Sequence, residues 1–232
     1  MNAAPTSPRR SREESRLQTR AHLLAAAKRL FVEKGFGATS LRDIAAEAGY
    51  TQGAFYSNFA SKEALFVELM RERSKAQVTH IAQALGDPSA SAEQILNALE
   101  IWAQTLDAEP EWSVLGVEFK LQGRRNPLFA TASEALLNAH RDGLAYCITQ
   151  IFARLEKVPP ESPAVLAAAF MGLSQGLALQ RPLLSEAPIG HMIMVFLRSL
   201  LAAAPDTHHA VAPSSKTPTA ASTRAPTPSA NP

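Results

Sequence analysis

The chain has 232 residues, 46% of them hydrophobic, which is enough apolar side chain for one large or two smaller folded units. Its single cysteine, Cys147, excludes an intrachain disulfide and a cysteine-clustered metal site. The N-terminus lacks the apolar segment of a signal peptide, and the longest apolar stretches are interrupted by Gln175, His191 and Arg198. We therefore expect a cytoplasmic protein without a membrane partner.

The charge is unevenly distributed. Residues 1–75 carry 13 Lys and Arg against 8 Asp and Glu, whereas residues 76–204 carry 8 against 12. A basic first third on an acidic remainder is typical of a protein whose N-terminal part faces a polyanion. A chance scatter of surface charge would give the same balance, so charge alone does not decide between the two.

The pattern of the N-terminal third predicts four helices. Residues 1–14 are rich in Pro, Ser and Arg and are expected to be a disordered basic arm. Apolar residues then recur at helical spacing from Leu17 until Gly35 ends the first helix. Ser40 and Asp43 form the pattern of a capping box at the start of a short second helix, and Gly49 is suited to its left-handed C-terminus. Thr51 can cap a third helix over 52–59, and Ser61 a fourth that continues to about residue 85.

Further helices are predicted over 92–106, 111–122, 128–156, 163–180 and 188–203, separated by proline-containing breaks. No alternating strand pattern of useful length occurs, so the predicted fold is all-α with about nine helices. Residues 205–232 contain almost no large apolar side chain and are expected to be a disordered Pro/Ala/Thr/Ser tail. The pair His208 and His209 lies in that tail and is not expected to bind metal.

The second and third helices, joined by a tight glycine-containing turn, are typical of a helix-turn-helix. In the third helix, Phe55 and Phe59 are spaced to face the first two helices. That spacing leaves an outer face that is small, polar and uncharged, made of Gln52, Gly53, Tyr56, Ser57 and Asn58. A glutamine can donate to and accept from base edges, and a tyrosine hydroxyl can reach a phosphate. Lys62 lies in the first turn of the fourth helix, where only a nearby anion would favour it.

Residues 19–70 closely resemble the DNA-binding domain of the tetracycline-repressor (TetR) family of bacterial transcription regulators. The resemblance is carried by Gly-Phe-x-x-Thr-Ser, Ile-Ala-x-x-Ala-Gly, Gly-x-Phe-Tyr-x-x-Phe and Ser-Lys-Glu-x-Leu. It implies a homodimer that binds a palindromic DNA operator with its third helices. It also implies a DNA-binding domain over 15–75 and a ligand-binding and dimerisation domain over 76–204.

Carried over by position, the resemblance implies two sets of DNA contacts. The implied phosphate contacts are Thr39, Ser40, Tyr56 and Lys62. The implied base or near-base contacts are Arg42, Tyr50, Gln52 and Gly53, and Thr51, Ser57 and Asn58 complete the expected interface. Asn58 stands where many members have histidine, so the identity of that contact departs from the family pattern.

The segment Gly172–Gly176 matches G-x-S-x-G, the nucleophile elbow of serine hydrolases. That motif requires a strand before Ser174 and a helix after it, whereas the surrounding residues have an alanine-rich helical pattern. We therefore expect the small residues to permit close helix packing, and esterase chemistry at Ser174 remains the minor alternative. No catalytic site, cofactor or metal is predicted.

The family resemblance implies a pocket for an apolar or aromatic inducer, and aromatic residues in the middle helices could line it. Ordinary core packing is the alternative for each of these residues. The predicted lining is Trp102, Trp112, Phe119, Gln122, Tyr146, Cys147 and Phe170, with Phe129 nearby and Glu118, His140 and Arg141 as candidate polar contacts. The last two helices are unusually apolar for a monomer surface, so they are expected to pair across a two-fold axis. The predicted dimer residues are Leu166, Phe170, Leu173, Leu177, Met192, Phe196 and Leu200. These features together predict a ligand-responsive regulator, with repression favoured over activation.

Overall fold

The computed structural model describes residues 11–180 and 188–207, and within these ranges the regular structure is helical. The arm before residue 11, the break at Arg181-Pro182 and the tail with His208 and His209 lie outside the described residues. Nine helices occur in the described ranges: α1 Arg12–Ala38, α2 Leu41–Glu47, α3 Gln52–Tyr56, α4 Lys62–Ala84, α5 Ala92–Ala108, α6 Glu111–Arg125, α7 Pro127–Arg154, α8 Pro163–Gln180 and α9 Ile189–Ala203. The predicted all-α fold is confirmed.

Helix α1 begins earlier than predicted. Ser11 is its N-cap and accepts a hydrogen bond from the backbone N–H of Glu14, whose side chain accepts one from Ser11 in return. This capping box satisfies two backbone N–H groups that have no partner within the helix, so residues 12–14 are helical and not part of an arm. Gly35, at φ 80° and ψ 160°, kinks the chain where the sequence predicted that α1 would end.

The predicted caps of the short helices are present. Ser40 and Asp43 form a reciprocal capping box at α2, and Gly49 adopts a left-handed φ of 77° just beyond its end. Thr51 then accepts a hydrogen bond from the backbone of Ala54 and starts α3. Helix α3 ends at Tyr56, three residues earlier than predicted, with Ser57 as its C-cap.

Phenylalanines join the first three helices to the remainder of the molecule. Phe66 of α4 lies 5.0 Å, ring to ring, from both Phe31 and Phe36, and 5.1 Å from Phe119 of α6. The ring of Phe129 in α7 meets that of Phe119 edge-on, with 5.0 Å between the ring centres. Because these rings form one buried cluster, α6 and α7 pack directly on the helix-turn-helix, and the predicted division near residue 75 falls within the continuous helix α4.

The second core is formed by α4, α5, α7, α8 and α9. The α9 N-terminus is held by Asp107 of α5, whose carboxylate accepts from the backbone N–H of Gly190 at 3.1 Å. In the described residues, α8 is the one helix long and apolar enough to cross a membrane by length and composition, contrary to the expectation that Gln175 interrupts its apolar stretch. Only 17% of α8 is buried within the single chain, which leaves an apolar outer face.

Candidate nucleic-acid interface and internal cavity

Helix α3 separates a buried aromatic side from an exposed polar side. Phe55 is fully buried and Phe59 is 4% exposed, and the two rings contact each other at 5.8 Å. On the other side Gln52 and Gly53 are exposed, and Tyr56 is 61% exposed. Burial of the two phenylalanines therefore fixes which side of the helix meets solvent, because α3 is too short to be stable without tertiary packing.

Gly53 is not required by the packing of the chain. A Cβ atom built on it would lie 3.7 Å from the Oγ1 atom of Thr51, an ordinary contact, with no other atom within 4 Å. Its φ is not in the left-handed region, in contrast to that of Gly49. Since glycine inside a helix costs about 0.5–1 kcal/mol relative to alanine, this position has a stability cost that the isolated chain does not explain.

Helix α2 adds an exposed cation beside this face. Arg42 is exposed, and Ser40 and Thr51, the caps of α2 and α3, are exposed as well. Asp43 is committed to the local cap, because hydrogen bonds from the Ser40 side chain and backbone hold the pKa of its carboxyl below the usual value. Apart from Asp43 and from Glu47, which pairs with Arg29, the exposed polar side chains of α2 and α3 are the Arg42 guanidinium and neutral groups.

Three predicted contact residues lie differently from expectation. Thr39 is 1% exposed, and its hydroxyl donates to the Gly35 carbonyl at 2.8 Å, with the Leu30 carbonyl at 3.2 Å. Its side chain thus has internal partners and does not face outward as the predicted phosphate contact requires. Asn58 is half-buried and donates to the Ala54 carbonyl, and its buried Oδ1 has no hydrogen-bond partner among residues 11–180 and 188–207. Tyr50 is half-buried, and its hydroxyl lies 3.0 Å from His22 Nδ1 of α1.

Lys62 has internal partners that the sequence did not reveal. Its Nζ donates to the carbonyls of Phe36 at 2.7 Å and Thr39 at 2.6 Å, and it lies over the Phe36 ring. Desolvation by burial lowers the pKa of this amine. The two carbonyls, which follow the kink in α1, therefore stabilise the cation that the α4 dipole disfavours, and a phosphate is not needed to account for it.

Arg20 positions the end of α3 and was not identified from the sequence. Its guanidinium donates to the Asn58 carbonyl at 3.0 Å, lies 4.2 Å from the centre of the Phe59 ring, and pairs with Glu68 of α4. Arg20 thus ties α1, α3 and α4 together. Its place on α1 four residues before the buried Leu24 is the only sequence signal for this role.

A cavity of about 150 Å³ lies among α4 to α9. Five of the seven residues predicted for the pocket line it: Trp102, Trp112, Phe119, Cys147 and Phe170. Tyr146 is 62% exposed and lies outside the lining, as does Gln122, so these two predictions were wrong. Burial raises the pKa of the Cys147 thiol, which accords with a packed side chain and not a reactive thiolate.

Of the three candidate polar contacts, only His140 lines the cavity. Its Nδ1 lies 2.7 Å from the Ser74 hydroxyl of α4. Burial, followed by the charges of Lys120 and Arg73, lowers the pKa of His140 to about 4, so the imidazole is neutral near pH 7. Arg141 instead pairs with Asp142 on the surface.

Ser174 also lines the cavity, from the middle of α8, and its hydroxyl lies 3.1 Å from that of Ser113. A nucleophile elbow requires a strand that turns into a helix at the serine. Residues 163–180 are helical throughout, so the strained turn that would activate this hydroxyl is absent at Ser174.

Charged residues link the cavity to α1. Glu109 accepts from Lys28 of α1 at 2.5 Å and from the Trp112 indole at 3.1 Å, and Arg73 lies 3.5 Å from it. Farther along α6, Glu118 accepts from the backbone N–H of Phe36 at 2.6 Å, at the kinked end of α1. Glu118 therefore belongs to the contact between α6 and the helix-turn-helix, and not to the cavity.

The predicted dimer residues lie mostly on the inner sides of α8 and α9. Leu166 is 6% exposed in the core, so little of it is available to a second copy. Phe170, which was predicted for both the pocket and the dimer, lines the cavity. Leu173, Leu177 and Leu200 are half-buried against the same cores, Met192 is half-buried, and Phe196 is 46% exposed. The outer apolar residues are Val165, Ala168, Ala169, Gly172, Leu179 and Val195.

Comparison with known proteins gives matches to one family. The sequence profile described as "Bacterial regulatory proteins, tetR family" matches residues 23–69. The transcriptional regulator AcrR of Shigella flexneri is 38% identical over 93 residues, which cover 38% of this chain and 42% of AcrR. The repressor KstR2 of Mycobacterium tuberculosis is 48% identical over 52 residues, covering 22% and 26% of the two chains. This chain therefore spans less than half the length of these relatives.

Solved structures match over most of the chain. The fatty acid degradation regulator FadR of Bacillus halodurans has a TM-score of 0.64 at 14% identity, with 86% of this chain and 98% of that chain covered. A structure from Rhodococcus sp., assigned to the TetR-family transcriptional regulators, has a TM-score of 0.65 at 16% identity, with 80% and 99% covered. At these identities the likeness concerns the fold alone. The sequence similarity to the TetR family of bacterial regulatory proteins is therefore carried by residues 23–69, and over the remaining helices the similarity to TetR-family structures is one of fold.

Proposed function

We propose that the protein is a homodimeric, sequence-specific DNA-binding transcription regulator, and that a small molecule bound in the internal cavity releases it from its operator. The observation that carries the proposal is the exposed side of α3, where Gln52, Gly53 and Tyr56 point away from a buried pair of phenylalanines. A short polar surface of this kind fits the major groove of B-DNA, whose width admits a helix and whose base edges present donors and acceptors.

On DNA, the proposed division of roles follows the side-chain chemistry. Gln52 reads a base edge, and Gly53 allows the backbone to approach the bases. Tyr56 and Arg42, with Ser40, contact phosphates and fix the register. In a dimer, two copies of α3 enter successive major grooves about 34 Å apart, so the operator is an inverted repeat.

The outer surfaces of α8 and α9 support the dimer. Val165 and Leu179 of α8 are each about half exposed, and Val195 and Phe196 of α9 are more than 40% exposed. Large apolar side chains concentrated on the outside of two adjacent helices are typical of a surface that a second copy covers. The small residues on the outer side of α8 would allow the paired helices to approach closely. This is the helix packing that was expected of the segment Gly172–Gly176.

Helix α6 is the proposed route from the cavity to DNA. It contributes Trp112 and Phe119 to the cavity and carries Glu118, which binds the backbone at Phe36. The carbonyl of Phe36 in turn accepts from Lys62 at the start of α4. A ligand that shifts α6 would therefore alter the position of α1 and α4 and hence the separation of the two α3 helices. DNA affinity falls only by as much as the ligand discriminates between the two states.

The test measures fluorescence anisotropy with labelled DNA from the chain's own upstream intergenic region and with a shuffled sequence of equal length. We expect Tyr56→Phe to weaken binding to both DNAs and leave the free energy of unfolding unchanged, because the exposed hydroxyl has no partner in the described residues. Gln52→Ala should relax preference at one base position by about 1–3 kcal/mol. The control Gln83→Ala, an exposed glutamine on α4, should change neither property.

Equal affinity for upstream and shuffled DNA in the unmodified protein would contradict the proposal and favour a non-specific DNA-packaging role. Full specificity in Gln52→Ala would contradict the assignment of the reading face. An activator would give the same results in these binding tests. A reporter gene under the upstream promoter distinguishes a repressor from an activator, because deletion of the gene for a repressor should raise reporter expression and deletion of the gene for an activator should lower it.

A further inference from the structure

The chemistry of the cavity points to a particular class of ligand, and this inference rests on the proposed function because it concerns the same effector site. Most of the described lining is apolar, and its one charged side chain is positive. Among the lining residues described, Arg73 is the one with a permanent charge, and no Asp or Glu contributes to the lining. A mainly apolar site lined by a guanidinium and no carboxylate favours an anion over a cation. Glu109, which lies 3.5 Å from Arg73 but outside the lining, offsets part of this positive charge.

Arg73 has unused hydrogen-bonding capacity. A guanidinium has five N–H donors, and in the described part of the chain Arg73 makes one hydrogen bond, at 3.5 Å, to Glu109. Glu109 is engaged more closely by Lys28 at 2.5 Å and by the Trp112 indole at 3.1 Å. The side chain of Arg73 is only 18% exposed, and it lies against Trp112. Because Glu109 is shared with Lys28 and Trp112, the largely buried Arg73 guanidinium has N–H donors left for a second acceptor that can bind it through two oxygens.

A second donor faces the same space. Gln175 lines the cavity, and its Oε1 accepts from Lys120 Nζ at 2.8 Å. That bond fixes the orientation of the amide, so its Nε2 group points away from Lys120 and towards Gly116. There it lies 3.2 Å from the position that a Cβ on Gly116 would occupy, and Gly116 also lines the cavity. Lys120 itself has no carboxylate partner within 4 Å among the described residues, and it adds positive potential behind Gln175.

We propose that the cavity binds an amphipathic monoanion, with an apolar body against the tryptophans and one carboxylate-type group bound by Arg73 and the Gln175 amide. Aliphatic and aromatic acids share this chemistry, and the experiment below distinguishes them. The lowered pKa of His140 is consistent with this positive surrounding, since Lys120 and Arg73 both contribute to it after burial.

The test measures direct ligand binding by this 232-residue chain without DNA. Both tryptophans of the chain line the cavity, so quenching of their fluorescence reports occupancy, and calorimetry confirms the stoichiometry. Three probes of equal chain length, short enough for a cavity of about 150 Å³, are compared within their monomeric solubility: octanoate, 1-octanol and octyltrimethylammonium. A second pair, 4-butylbenzoate and 4-butylbenzyl alcohol, replaces the aliphatic body by an aromatic one.

We expect at least one of the two carboxylates to bind about 10- to 100-fold more tightly than its alcohol, the range for a hydrogen-bonded charge in a partly buried site, and the ammonium to bind weakest. Arg73→Gln should remove the preference for carboxylate over alcohol while leaving alcohol affinity within about threefold. The matched control is Arg71→Gln, two residues earlier on α4, where the guanidinium pairs with Glu68 outside the cavity. It should retain the full preference.

Equal affinity for carboxylate and alcohol, tightest binding of the ammonium, no binding of either carboxylate, or an undiminished preference in Arg73→Gln would each overturn the assignment. If Arg73→Gln unfolds, Lys120→Gln, which lies outside the lining, should still reduce carboxylate affinity relative to alcohol, and failure to do so would count against it. These outcomes are separate from those of the DNA test. Carboxylate binding without any effect on operator affinity would uphold the ligand class and reject the effector role.

Discussion

Replacing Gly53 by alanine should strengthen the fold and weaken DNA binding. The added methyl group has open space around it, with only Thr51 Oγ1 within 4 Å, at 3.7 Å. The backbone at Gly53 is in a region that alanine adopts without strain. A substitution of this kind stabilises a protein by about 0.4–1 kcal/mol, chiefly because the unfolded chain loses conformational freedom. For a chain of this size the expected rise in melting temperature is about 1–4 °C.

The same methyl group would project from the exposed side of α3 into the space that the proposed interface assigns to DNA. We therefore expect operator affinity to fall about tenfold or more, equivalent to at least about 1.4 kcal/mol. Stability is measured by calorimetry and urea unfolding, and affinity by anisotropy with the upstream DNA. Because the two effects have opposite signs, a loss of binding cannot be attributed to unfolding.

Gly49→Ala provides the comparison within the same turn. Gly49 has a φ of 77°, which costs an L-residue about 1–2 kcal/mol, so this variant should lose stability. If Gly53→Ala bound the operator as tightly as the unmodified protein, the surface of α3 around residue 53 would not approach DNA closely. If it were destabilised, the account of the glycine as a position dispensable for packing would fail.

Two further predictions concern the cavity and its link to α1. His140 has a pKa of about 4 in the folded protein, below its usual 6.5, so the folded state disfavours its protonation. The contribution of the neutral imidazole to the free energy of unfolding should be complete above pH 6.5. It should fall by up to about 3 kcal/mol as the pH drops towards 4. Urea unfolding at several pH values should show this loss, and His140→Gln should lack that part of it, with an unchanged pH dependence counting against the burial argument. Glu118→Ala removes the acceptor for the Phe36 backbone, so ligand should still bind but release DNA less effectively. Anisotropy with and without ligand measures this coupling, which would be unaltered if α6 were not the route.

Local sequence signals determined most of the helix boundaries near the interface. Ser40, Thr51 and Ser61 cap the helices that they were predicted to cap, and Gly49 takes the left-handed conformation that the turn requires. These features depend on hydrogen bonds between residues three positions apart and on backbone geometry at one residue. These caps and this turn can therefore be predicted from the sequence alone. The inward direction of Phe55 and Phe59 follows from spacing in the same way.

The contacts of individual polar residues could not be obtained from spacing. The hydroxyl of Thr39 turns inward because the kink at Gly35 brings two carbonyls within reach, and the kink also positions the carbonyls that hold Lys62. The resemblance to the TetR family identified positions but not the direction in which each side chain points. Arg73 lies on the inner side of α4, and only the packing of α5, α6 and α8 makes it part of a cavity.

The apolar helices illustrate the same limit. In α8, Leu166 and Phe170 were assigned to a dimer surface because the whole helix is unusually apolar, yet Leu166 is buried in the core of its own chain and Phe170 lines the cavity. Periodicity identifies the apolar sides of a helix but does not say which neighbour covers each side when both are apolar. The sequence by itself determined the helices, the turn and the residues available to meet DNA, since these depend on short-range geometry. Only the tertiary structure decided which polar groups form hydrogen bonds within the protein and which face a cavity, because those outcomes depend on contacts between residues far apart in the chain.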